Sequence, residues 1–209
     1  MPSGFDPGLN IEYVSLILFA IATCITPGPN NTMILASGLN YGVRASLPHL
    51  LGINIGFPLM IIAVGAGIGG LFVAFPILDD ILKIVGSAYL LYLAWRIATA
   101  GPPRGEGEGG RPFSFAQAAL FQLVNPKAWM MAVSAVSVYS VASESYLAQI
   151  MVIAAVFLVF GTPCTGVWLG FGSGLRRWLA NRAILRGFNI AMAGLLVASL
   201  IPVLVDYLP

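Results

Sequence analysis

Six apolar stretches, each about the length of a bilayer-crossing helix, fill most of this chain: residues 11–41, 47–75, 81–98, 113–139, 147–175 and 184–206. A crossing helix takes roughly 20 residues at ~1.5 Å each. Hydrocarbon offers no partner to a backbone N–H or C=O, so such stretches must satisfy their backbone internally, as helices. Only 9% of the 209 residues are charged, against roughly 25% in a soluble domain, and the mean hydropathy is +0.91. That composition cannot cover a water-facing globule. The expected fold is an all-α polytopic membrane protein of six transmembrane helices, with the lipid bilayer as its outer partner.

Residues 1–10 hold an acid and no Lys or Arg, so they lack the basic start of a cleavable leader, and the first span is expected to stay in the mature protein. A formal charge of +2 is too small for a phosphate-tracking surface, which excludes nucleic acid as a partner. The basic residues still carry orientation. Arg44, then Arg96, Arg104 and Arg111, then Arg176, Arg177, Arg182 and Arg186 fall on alternate connections, while the opposite side holds Lys83 alone. By the positive-inside rule the arginine-bearing connections are cytoplasmic and both termini lie outside.

The run GPPRGEGEGGRP at 101–112 is rich in Gly, Pro and charge and reads as a flexible cytoplasmic linker, taken as residues 99–112. It separates a first three-span unit, residues 1–98, from a second, residues 113–209. Leu47 and Leu147, Gly86 and Gly187, Pro27 and Pro126, and Pro58 and Pro163 pair at offsets of about 100 residues. Units with an odd number of spans must cross in opposite senses, so the expectation is a 3+3 inverted repeat.

Spans one and four are each interrupted near mid-depth. Thr26-Pro27-Gly28-Pro29-Asn30-Asn31 breaks the first, because both prolines lack an N–H and their rings clash with the preceding turn. Asn125-Pro126-Lys127 breaks the fourth. Backbone groups freed at that depth need protein or a water-filled cavity, which marks a binding site. Each resumed helix begins with free N–H groups at the positive end of its dipole, and two such starts suit one anion. Lys127 places a full charge there, and three readings stand: a counter-charge for a carboxylate, a lysine bonding the carbonyls freed at the first break, or a side chain snorkelling to the surface. Freed carbonyls and the amides of Asn30, Asn31 and Asn125, with Asn54, Gln122 and Asn189 nearby, would hold an ammonium. A small zwitterion matches both ends. Trp129, beside the second break, is placed to pack against its side chain.

The same residues carry a resemblance. TPGPNN, then ASGLNYGVRASLPHLLGINIG, KIVGSAYLLYLAWR and NPKAWMM, in that order, resemble the lysine exporter (LysE/RhtB) family of bacterial amino-acid exporters, over nearly the whole chain. The matching positions are Pro27, Gly28, Pro29 and Asn30; Gly42, Arg44, Gly52 and Gly56; Gly86, Tyr89, Leu90, Trp95 and Arg96; and Asn125, Pro126 and Lys127. The resemblance implies a multi-pass inner-membrane protein that exports amino acids or close derivatives, driven by the proton gradient. The glycines read as close-packing points between helices.

No Asp or Glu stands near the middle of a span, so proton coupling lacks an obvious carrier, and a cationic side chain would lack a partner. Neutral amino acids are therefore favoured as substrate. His49, the single histidine, is a candidate proton relay or an interfacial polar residue. Export of a metal cation or amine is the alternative, although a cation site wants oxygen-rich anionic ligands that are missing here. A six-span thiol-disulfide carrier would use Cys24 and Cys164, but these occupy unmatched spans. One histidine without a mid-membrane acid supplies no nucleophile and base, so an enzyme is not expected, nor a cofactor or metal. A homodimer is compatible with so small a membrane protein.

Overall fold

The computed structural model describes residues 7–68, 74–75, 77–99, 111–141, 146–175 and 182–201. Among these the regular elements are all helical. Helix α1 spans Pro7–Ile25 and α2 spans Pro29–Ala63, ending in a π turn at Val64–Ile68. Helix α3 covers Ile77–Ala98, and α4 covers Phe115–Phe121, followed by a 3-10 turn at Gln122–Val124. Then come α5, Pro126–Tyr139, α6, Tyr146–Leu175, and α7, Arg182–Ala198. The linker expected at 99–112 lies outside the described residues save for its ends, as do Arg104, Arg176, Arg177 and the termini.

Local chemistry sets these boundaries. Pro29 and Pro126 each stand at the first helical positions, where a missing N–H costs nothing. The start of α4 is a capping box: Ser114 Oγ accepts from the Gln117 N–H at 3.2 Å, and Gln117 Oε1 accepts from the Ser114 N–H at 3.0 Å.

The 40 residues from Pro29 to Ile68 are apolar enough to read as one long span, yet they fold back on themselves. Gly42 has φ 79 and ψ 174, dihedrals closed to most L residues. Ser37 and Ser46 hydroxyls hydrogen-bond at 2.9 Å, although nine residues of straight helix would separate them by about 13 Å. Residues 29–41 and 43–63 are therefore two arms of a hairpin, and Ile34 and Ile53 meet across it.

Helix α2 packs most extensively on α6, and also on α4, while α3 packs on α7 and α1 on α6. Small residues allow the backbones to touch. A Cβ on Gly172 would overlap the Leu35 carbonyl, and one on Gly52 the Phe115 carbonyl. On Gly56 it would lie 2.6 Å from Ala119 Cα. The largest buried cluster joins Phe57, Met60 and Ile61 to Ala128, Ala132, Ile150, Ile153 and Phe157. Leu18, Leu59, Ile84, Leu120 and Val159 are more than half exposed, the outward face of a protein whose solvent is lipid. Residues 80–98 and 146–175 are also long and apolar enough to cross, and shorter apolar helices cover 13–25, 115–124 and 183–198. This is a multi-pass membrane protein.

Candidate functional site

Helix α1 stops at Ile25 because Pro27 brings no N–H and Gly28 takes an extended backbone, φ 176 and ψ 179. The carbonyls this frees must find other donors. Thr26 Oγ1 donates to the Thr23 carbonyl at 2.9 Å. Asn31 Nδ2 donates to the carbonyls of Cys24 at 2.7 Å and Thr26 at 2.8 Å. Trp168 Nε1 reaches from α6 to the Ile25 carbonyl at 3.0 Å. The last donor is Lys127, whose ammonium bonds the Thr26 carbonyl at 2.9 Å, Thr26 Oγ1 at 2.8 Å and the Pro27 carbonyl at 3.2 Å. Lys127 thus stands on the carbonyls and hydroxyl at the end of α1. A Cβ on Gly28 would lie 2.7 Å from Lys127 Cδ and 3.1 Å from Nζ, so the absent side chain leaves the lysine its channel.

The second break is capped by a side chain, which the first lacks. Asn125 is extended at φ −92 and ψ 106, the conformation a following proline enforces. Its Oδ1 accepts from the Lys127 N–H at 3.2 Å, capping α5. The two breaks are tied by a reciprocal amide pair: Asn30 Nδ2 donates to Gln122 Oε1 at 2.8 Å, and Gln122 Nε2 donates to Asn30 Oδ1 at 3.1 Å. Gln122 is fully buried, where an unpaired amide would cost about 1–3 kcal/mol.

Between the breaks lies a cavity of about 50 Å³, room for roughly three waters. Gly28, Asn30 and Asn31 from the start of α2 and Asn125, Lys127 and Ala128 from the start of α5 line one part of it. Thr23, Asn54 and Thr165 add polar groups, and Ile53, Phe57, Met131 and Phe157 add apolar wall. No carboxylate is among its lining residues. Thr23 Oγ1 gives its proton to the Phe19 carbonyl at 2.7 Å and Thr165 Oγ1 to the Gly161 carbonyl at 3.0 Å, leaving oxygen lone pairs as acceptors. Asn54 is 7% exposed, and its Nδ2 has no partner among the described residues. The cavity thus holds spare donors, spare acceptors and an apolar surface.

Of the residues singled out in the sequence, Gly28, Asn30, Asn31, Asn125 and Lys127 line this cavity. Thr26 and Pro27 act through Lys127, and Pro29 and Pro126 set the helix starts. His49 is elsewhere: 1% exposed, against the Phe113 ring at 5.2 Å, beside a second cavity of about 60 Å³. Asn189 is fully buried on α7 and meets Asn40 Nδ2 at 3.4 Å, away from the breaks. Trp129 turns its Nε1 to the Leu123 carbonyl at 2.9 Å and is not among the lining residues. Trp168, through its Nε1, caps the end of α1. Thr23, Phe57 and Phe157 carry no sequence signal, because they look like ordinary core positions of three different helices.

The family model described as LysE type translocator matches residues 21–203. The cysteine/O-acetylserine efflux protein of Escherichia coli (strain K12) is 33% identical over 180 residues, which is 86% of this chain and 90% of that protein. The protein of the same description from Shigella flexneri gives the same figures, and that from Escherichia coli O139:H28 is 32% identical over the same coverage. No solved structure is significantly similar to the chain.

Proposed function

The chain belongs to the LysE type translocator family, whose members are exporters, and on that premise we propose that it is a secondary exporter of small neutral amino acids or close derivatives, of the cysteine and O-acetylserine kind. The observation that carries the site is the convergence of two interrupted helices on one cavity with no carboxylate in its wall. The substrate carboxylate sits at the first turns of α2 and α5, where the dipole ends and the Asn54 amide donate. Its ammonium sits on the Thr23 and Thr165 oxygens. The side chain meets Phe57, Phe157 and Met131, a wall that suits short neutral groups and would strand a cationic one. Lys127 is a positioning residue that holds the first break in shape and adds positive potential.

Six spans in a 3+3 inverted arrangement fit this reading. With residues 11–41 as span one and 113–139 as span four, span one approaches span five at Leu35 and Gly172 as span four approaches span two at Phe115 and Gly52, and spans three and six pack together. A pseudo-twofold axis in the membrane plane would produce those pairings. The arginine-bearing connections are then cytoplasmic, both termini outside, and the proton gradient drives export.

The test is efflux from preloaded proteoliposomes of a labelled panel of neutral, basic and acidic amino acids, with and without an imposed pH gradient. Gradient-stimulated efflux of serine-sized neutral members is expected. Efflux confined to basic members, or none from folded protein, would overturn the reading.

A further inference from the structure

We propose that the cavity around His49 is a second amino-acid site, which takes a small zwitterion by its carboxylate at the arginine-bearing end of the molecule before the zwitterion reaches the cavity between the breaks. The inference rests on the exporter reading for its place in transport, but the site itself stands on its own residues.

Arg96 at the end of α3 and Arg111 ahead of α4 both line this cavity, and no Asp or Glu is among its lining residues. Two guanidinium groups offer paired N–H donors of the geometry a carboxylate takes. Deeper in the same wall are three buried polar atoms without a hydrogen-bond partner among the described residues: Asn40 Oδ1 and both ring nitrogens of His49. Asn40 is 6% exposed and already gives its Nδ2 to the Ala36 carbonyl at 2.8 Å, so its oxygen is the end left over. Unpaired buried polar atoms are destabilising, and a cluster of them in one cavity wall points to something that pairs them. An ammonium would pair two of them: Asn40 Oδ1 and the unprotonated nitrogen of a neutral imidazole both accept, while the ring N–H can donate to a carboxylate. With the guanidinium groups on the other side, both ends of a zwitterion find partners.

The two cavities have no lining residue in common, but both are walled in part by the arms of α2. The arms of α2 supply Asn30, Asn31, Ile53 and Asn54 to one and Ser37, Asn40 and His49 to the other. Ile53, which lines the first cavity, packs with Ile34, Ala118 and Leu169 in a buried apolar cluster. Asn31 and Ser37 are about 9 Å apart along their arm, so the cavity at the arginine-bearing end lies within about two helical turns of the cavity between the breaks.

Arginine modification tests the site without depending on transport. Purified protein in phosphatidylcholine nanodiscs is treated with phenylglyoxal, and labelling of Arg96, Arg111 and, as reference, Arg44 is read by peptide mass spectrometry. Probes are glycine, serine, cysteine and O-acetylserine, with acetate as a carboxylate lacking an ammonium. Expected is slower labelling of Arg96 and Arg111, but not Arg44, with at least one amino acid. The same amino acid should lose about tenfold in apparent affinity in Asn40→Leu or His49→Leu, while acetate does not. Absence of protection by every amino acid would overturn the proposal. So would protection that appears only when phosphatidylglycerol replaces phosphatidylcholine, which would assign the arginines to a lipid phosphate. Protection without any amino-acid efflux would sink the exporter reading and leave this site standing; efflux without protection would do the reverse.

Discussion

Gly28→Ala is expected to damage the protein through one contact, with Lys127, and the size of the effect follows from the geometry. The new Cβ would lie 2.7 Å from Lys127 Cδ and 3.1 Å from Nζ, whereas ordinary contacts lie at about 3.4–4.0 Å. The lysine must retreat by roughly 0.7–1 Å, and its bond to the Pro27 carbonyl, already 3.2 Å, is lost first. Thr26 keeps the Asn31 amide on its carbonyl at 2.8 Å, so the break loosens rather than opens. A hydrogen bond to a charged donor contributes about 1.5–3 kcal/mol when buried, and partial exposure of Lys127 brings the net loss to about 1–2 kcal/mol. Thermal unfolding should fall by roughly 2–8 °C, and efflux by about 5–30-fold if the break geometry sets the working state. The assay is a double-mutant cycle with Lys127→Ala, read by unfolding of the purified protein and by proteoliposome efflux. In the Lys127→Ala background there is nothing to displace, and Gly28→Ala should then be nearly silent. An equal loss in both backgrounds would refute the reasoning and place the requirement for glycine in the backbone itself.

Four further outcomes follow from the same contacts. Asn30→Ala and Gln122→Ala should each lower stability, with a coupling of about 1–2 kcal/mol between them in an unfolding cycle, because each orphans the other's buried amide. Gly52→Val should abolish folded yield in size-exclusion chromatography, since its Cβ meets the Phe115 backbone; Gly170→Ala, where nothing lies within 4 Å, should leave it intact. Phe157→Leu removes one wall of the cavity, where Phe157 meets Phe57 edge-on at 5.2 Å, and should shift an efflux panel toward larger neutral amino acids. Cys164→Ser should keep efflux within about twofold, because its thiol donates to the Phe160 carbonyl at 3.2 Å as a serine hydroxyl can; abolished transport would revive the thiol-carrier alternative.

The membrane class and the helix boundaries at the prolines were legible in the residues. Low charge, apolar length and the Pro-Gly-Pro and Asn-Pro interruptions act locally: proline lacks its N–H whatever surrounds it, and lipid rejects an unpaired backbone everywhere. Helix ends at Ile25, Pro29 and Pro126 follow directly from that. The tertiary structure decided the assignments that depend on distance. Lys127 was equally readable as a substrate counter-charge, and its three bonds to Thr26 and Pro27 exist only because α5 starts beside the end of α1. Trp168 became a cap of α1, and Asn30 and Gln122 became a pair, across gaps no local pattern spans. Gly42 turns α2 back and carries His49 alongside Asn40 rather than Asn31. A sequence records which backbone groups will be left without partners; which side chains come to satisfy them is settled by how the helices pack.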